Sequence, residues 1–124
     1  MKKGIFESDE DFRLRVEKEK ARQMGLTQGF FESDADFLHR ADLESAKRTG
    51  ITQGFFESDS DFIKRGLKKF GENLGITQGF FESEQDYNRR VERKVAEHLG
   101  LSQGFFESDE DFSKRIYDEI AKRL

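Results

Sequence analysis

One nine-residue phrase, Gly-Phe-Phe-Glu-Ser-Asp-x-Asp-Phe, returns every 25 residues and leaves few folds open to this chain. It starts at Gly29, Gly54 and Gly104, at Gly79 with Glu84 and Tyr87 as variants, and at Gly4 with Ile5 for the first Phe. A fixed period in the range of about 20–50 residues marks a repeat architecture, in which each unit buries its apolar face against its neighbours. The repeats run 4–28, 29–53, 54–78, 79–103 and 104–124, in a single repeat domain spanning 1–124.

The unit 29–53 predicts a helix. Ser33 suits the N-cap, and Asp34 and Asp36 fill the first turn, where acids meet the positive end of the helix dipole. Gly50 stands where a left-handed C′ residue is needed, and Ile51 follows as the apolar residue of a Schellman motif. The same grammar runs from Ser8 to Gly25, Ser58 to Gly75 and Ser83 to Gly100. Each helix is about 15–16 residues, or about 23 Å. Apolar positions at i, i+4 and i+8 predict the buried stripes: Phe62, Gly66, Phe70 and Leu74; Tyr87, Val91, Val95 and Leu99; Phe112, Ile116, Ile120 and Leu124. Lys20 and Ser45 interrupt the first two. A small residue follows the third stripe position in every copy (Ala21, Ala46, Gly71, Ala96, Ala121), which would let a neighbouring helix approach closely.

The piece between helices, Ile51 to Glu57, reads as a short helix capped by Thr52 or as a short strand. One unbroken helix is rejected, since it would carry Ser58 and Asp59 into the apolar stripe. Mid-strand Gly and the lack of a β-branched run favour the short helix. The expected fold is therefore an all-α, right-handed solenoid-like array of long helix, Gly turn and short helix, with the outer repeats as caps. The alternative is a parallel βα solenoid.

Only 34% of the chain is apolar, while 39% is charged, so the 14 Phe are its main apolar capital. The pairs Phe30/Phe31, Phe55/Phe56, Phe80/Phe81 and Phe105/Phe106 are accordingly expected to join one repeat to the next. Arg40 lies four residues after Asp36 and recurs as Arg15, Arg65, Arg90 and Arg115, never as Lys. An intrahelical ion pair would accept either residue. Constant Arg points to a planar fork, bridging to a Glu or to a backbone carbonyl of the neighbouring repeat.

The acidic clusters offer the clearest surface for a ligand. Glu32, Asp34, Glu57, Asp59, Glu82, Glu84, Glu107 and Asp109 would line one edge if the helices run parallel, forming a ridge for a basic partner. Their Glu-x-Asp-x-Asp spacing loosely matches the start of an EF-hand loop. Phe occupies the place of the loop's Gly, and the middle copies lack the closing Glu, so calcium is a minor alternative. No cofactor is expected.

Val95 to Gln103, with Ala96 and Gly100 four apart, resembles the first helix and turn of the helix-turn-helix DNA-binding family, and Phe106 falls at an apolar position of its recognition helix. The resemblance implies a second helix entering a DNA groove. That segment runs into Glu107 to Asp111, which phosphates repel, so the likeness is taken as one of turn geometry and a nucleic-acid ligand is disfavoured. His39 and His98 occupy different repeat positions, and no nucleophile, phosphate loop or paired metal ligand is visible.

A net charge of −4, no Cys, no N-terminal apolar segment and no long apolar run lead to an expected non-enzymatic, cytoplasmic module with no membrane role. Its expected partner is another protein, with end-to-end stacking of copies also open. Specificity would lie at the variable positions Ala35, Ser60, Gln85, Leu38, His39, Ile63, Lys64, Asn88 and Arg89.

Overall fold

The computed structural model describes residues 1–124 and is all-helical. The helices are α1 (Asp9–Gln23), α2 (Asp34–Arg48), α3 (Asp59–Asn73), α4 (Glu84–His98) and α5 (Asp109–Lys122). The repeat array and its helix boundaries match the expectation. The βα alternative falls, because the chain contains no strand.

Local chemistry sets both ends of each helix. The hydroxyls of Ser8, Ser33, Ser58, Ser83 and Ser108 accept the backbone N–H three residues on, at 3.0–3.1 Å. At the other end Gly25, Gly50, Gly75 and Gly100 take φ between +77° and +102°, where a side chain would be strained. The Leu26 and Gly25 amides donate to the Ala21 and Arg22 carbonyls, the paired bonds of a Schellman motif. α2 closes with an extra bond, from the Thr49 hydroxyl to the Ala46 carbonyl at 2.6 Å.

The segment between helices is neither short helix nor strand. Residues 26–29 are irregular, and a tight turn follows, closed by Glu32 N–H donating to the Gly29 carbonyl at 3.1 Å. Phe30 and Phe31 occupy its two central positions. The absence of a helix here also removes the second element of a helix-turn-helix.

Packing divides the chain within α3 into two compact units, Met1–Phe70 (with Leu124) and Gly71–Arg123. In the first, Ala21 of α1 packs with Phe37 and Ala41 of α2, with Met24, Leu26 and Leu38 around them. Arg48 at the end of α2 donates to the Met24 carbonyl at the end of α1. Together these place α2 beside α1, pointing the same way. In the second unit Ala96 of α4 packs with Phe112 and Ile116 of α5, and Arg123 reaches the Leu99 carbonyl at 3.0 Å. The same rule therefore operates in both.

The buried positions are i, i+4 and i+9. Phe37, Ala41 and Ala46 are buried in α2, and Phe112, Ile116 and Ala121 in α5. The expected i+8 position is displaced: Phe70 is 41% exposed, and Val95 and Ile120 are only partly covered. The small residue at i+9 takes its place because close helix approach selects for size over apolarity. The same positions are buried in α1 and α5, with Val16 and Ala121 at 0% exposure.

Gly66 shows how tight this approach is. A Cβ added there would lie 2.6 Å from the Ala46 Cβ and 2.8 Å from its Cα. Gly71 plays the same part in the second unit, where an added Cβ would lie 2.7 Å from Val91 Cγ2 and closer still to the Tyr87 hydroxyl. That hydroxyl donates to the Ile76 carbonyl at 2.7 Å, so Tyr replaces Phe here without leaving a buried polar group unpaired.

Gly66→Ala provides a test by sign. On an open helix face it would stabilise by about 1 kcal/mol through helix propensity. Against Ala46 it should destabilise by about 1–3 kcal/mol through overpacking, read as a lower urea midpoint at unchanged m-value.

Candidate functional site

Each repeat uses one arginine to lock its turn. Arg40 Nε and Nη2 donate to the two Glu32 carboxylate oxygens, both at 2.9 Å, and Nη2 also donates to the Thr27 carbonyl of the preceding repeat at 2.8 Å. The guanidinium lies 5.5 Å from the centre of the Phe37 ring, one turn earlier on the helix. Arg15, Arg65, Arg90 and Arg115 repeat all of this with Glu7, Glu57, Glu82 and Glu107 and with the carbonyls of Lys2, Thr52, Thr77 and Ser102. The planar fork inferred from constant Arg is therefore present, and it meets both a Glu and a carbonyl across the repeat boundary. Its acid lies eight residues upstream, and no Asp36–Arg40 ion pair forms. The bidentate geometry offered by Glu32 wins over a single exposed contact at i−4.

The same Glu braces the turn from inside. Its Oε1 accepts the Gly29 N–H at 3.0 Å, and Gln28 Nε2 donates to the Glu32 carbonyl at 2.9 Å. The Gln recurs as Gln53, Gln78 and Gln103. Two strong donors on one carboxylate depress its pKa. Glu7, Glu32, Glu57 and Glu107 fall to about 2, first through the Arg hydrogen bond and then through the Gly amide, and Glu82 moves the same way.

The first-turn acids are engaged as well. Asp34 pairs with Lys18 of α1 at 2.6 Å, Asp59 with His39 of α2 at 2.9 Å, and Asp109 with Arg89 and Arg93 of α4. Gln28, Gln53 and Gln103 also donate to these aspartates. Of the eight carboxylates assigned from sequence to a partner-binding edge, seven are tied into contacts that hold the turns or join neighbouring helices. Glu84 is exposed. No three His, Asp or Glu side chains converge as a metal-ligand set.

The side chains expected between repeats are instead outside. Phe30, Phe55, Phe80 and Phe105 are 94% exposed, and Phe31, Phe56, Phe81 and Phe106 are 95–96% exposed. Ile5 and Phe6 are as bare. Within each Phe pair the rings meet edge to face, with centroids 4.8 Å apart. The turn explains this placement. Its two central residues point away from a backbone pinned by Gln28, Glu32 and Arg40, and the helix Phe already fills the core. Arg40, Arg65, Arg90 and Arg115 thus reach the preceding repeat as expected, while Phe30, Phe31, Phe55, Phe56, Phe80, Phe81, Phe105 and Phe106 face solvent instead of joining repeats. The signal available in the sequence was Gly-x-x-Glu, a turn whose central residues are the two Phe.

One groove lies between α1 and α2, about 240 Å³ in volume and lined by Glu17, Lys20, Met24, Leu38, Asp42 and Ser45. Partial burial raises the Asp42 carboxyl. The space follows from Ser45, which stands where α5 carries Ile120, and its mixed lining matches no recognisable chemistry. No helix is long and apolar enough to cross a membrane.

The glutamates set an acid limit. A carboxylate whose folded pKa is about 2, against an ordinary 4.5, adds stability that is complete above the ordinary value and is lost as pH falls toward 2. The melting temperature should therefore be level above about pH 5 and decline below it. Glu57→Gln should melt lower than wild type at neutral pH and show a shallower acid decline. An acid profile identical to wild type would remove the linkage. Arg65→Lys should also lower the melting temperature, since an ammonium cannot span both carboxylate oxygens and the Thr52 carbonyl in one plane.

Comparison with protein-family models, with characterised proteins and with solved structures finds no match, so what the chain does is argued from its own surface.

Proposed function

We propose that this chain is a non-catalytic protein-interaction module whose binding elements are its diaromatic turns. The observation that carries this reading is the exposure of eight paired Phe at 94–96%, on turns fixed by the same hydrogen bonds in every repeat. Each Phe buries on the order of 150–250 Å² when covered. A single pair therefore displays about as much apolar surface as the largest patch of an ordinary monomer, and larger exposure marks an interaction site. Aromatic anchors held in advance in one geometry make efficient hot spots, because little side-chain freedom is lost on binding.

The acidic edge takes a secondary part in this reading. Its carboxylates are committed to the fold, so they steer and rim the contact rather than make it. A nucleic-acid ligand gains no support, since phosphates approaching the turns would meet acids.

Affinity capture from the source cell tests the proposal. The baits are the wild type and a variant with Phe30, Phe31, Phe55 and Phe56 each replaced by Ser. The variant should keep the wild-type helical content and melting temperature, because it removes exposed groups, and should lose at least tenfold in retained protein, or about 1.4 kcal/mol. Equal retention by both baits would overturn the reading.

A further inference from the structure

We propose that the diaromatic turns of one copy dock against those of a second copy, so that the chain self-associates through its turn-bearing face. The inference rests on the interaction reading above and names its partner.

The geometry within the first compact unit supports it. There α1, α2 and α3 run the same way: Ala21 packs on Phe37 and Ala41, Gly66 meets Ala46, and His39 pairs with Asp59 at the start of α3. Their leading turns carry Ile5/Phe6, Phe30/Phe31 and Phe55/Phe56, all 94% or more exposed. Packed helices lie about 8–10 Å apart, close to the span of one ring pair, so successive pairs stand side by side as one apolar row. The T-shaped pairs leave ring faces and edges of this row open to the rings of a second copy.

Area points the same way. Six side chains of this size expose on the order of 1,000 Å² per copy, so mating two sets removes on the order of 2,000 Å² at full cover and about half that at partial cover. A standard stable interface needs about 1,200–2,000 Å² in total. Such a contact is isologous, the same patch serving both copies, as two-fold dimers require.

The chemistry of the turns argues against a lipid surface. Membrane-interface anchors are mostly Trp and Tyr with basic neighbours, whereas these turns carry Phe, with one Ile at the first, and run directly into Glu, Ser and Asp. The acids also predict a signature. Two copies of net charge −4 repel, so self-association through apolar turns strengthens with salt, while docking on a basic surface weakens.

Sedimentation velocity on the full chain tests this over about 1–100 µM protein, with NaCl at about 50 and 500 mM. The expected result is a concentration-dependent mass increase to twice the monomer, stronger at high salt and lost in Phe31→Ser/Phe56→Ser, with circular dichroism and melting temperature unchanged. Association that persists in that variant, or that weakens with salt, overturns the proposal. So does a wild type that stays monomeric throughout. In that case the capture experiment separates the two claims: Phe-dependent retention of a different protein leaves the interaction module standing without self-association. A monomer that co-floats with phosphatidylcholine vesicles, Phe-dependently and without retaining protein, overturns both.

Discussion

The fork from arginine to glutamate is the contact on which the rest of each repeat depends. A single guanidinium, as in Arg65, holds both carboxylate oxygens of Glu57, the Thr52 carbonyl across the repeat boundary, and the face of Phe62. It thereby ties a helix to the segment leading into it and fixes the turn between. The carboxylate in turn holds Gly54 N–H, so the turn is braced from both sides. Neither partner is deeply buried. The arrangement gains from geometry: two parallel bonds and a third donor contact demand little further ordering once the helix has formed.

The core is built for proximity more than for volume. Large rings such as Phe37 and Phe62 are fully buried, but each faces a helix that contributes Ala or Gly. Alanine at 46 and glycine at 66 let backbones come close, and the rings then fill the space beside the crossing. This explains how a chain with 34% apolar residues can leave so much of its Phe outside. One ring per repeat is enough when the opposing helix is thin.

The turns invert the usual economy of a soluble protein. Apolar groups are displayed where the backbone is most constrained, and the acids beside them are engaged in ion pairs. Asp34, Asp59 and Asp109 each pair with a side chain of the preceding helix (Lys18, His39, and Arg89 with Arg93) while standing at the positive end of their own, so one residue meets the dipole and cross-links at once. In the proposed interaction role, a surface of rigid rings on an acidic frame would discriminate by apolar fit, with charge setting how readily partners approach.

The sequence by itself determined the period, the five helices, their Ser caps, their Gly stops and the need for a planar cation at every Arg position. These are local: each rests on residues within a turn or two of one another. Only the tertiary structure decided where the acids and the paired rings go. The recurring small residue, as at Ala46, was legible as a point of close approach, but that it displaces the i+8 position from the core follows only from the neighbouring helix that presses there. Glu57 and Arg65 lie eight residues apart and meet only because the turn bends the chain back toward its helix. Phe55 and Phe56 carry every mark of core residues in composition, and face solvent because their backbone is pinned from behind by contacts that span two repeats.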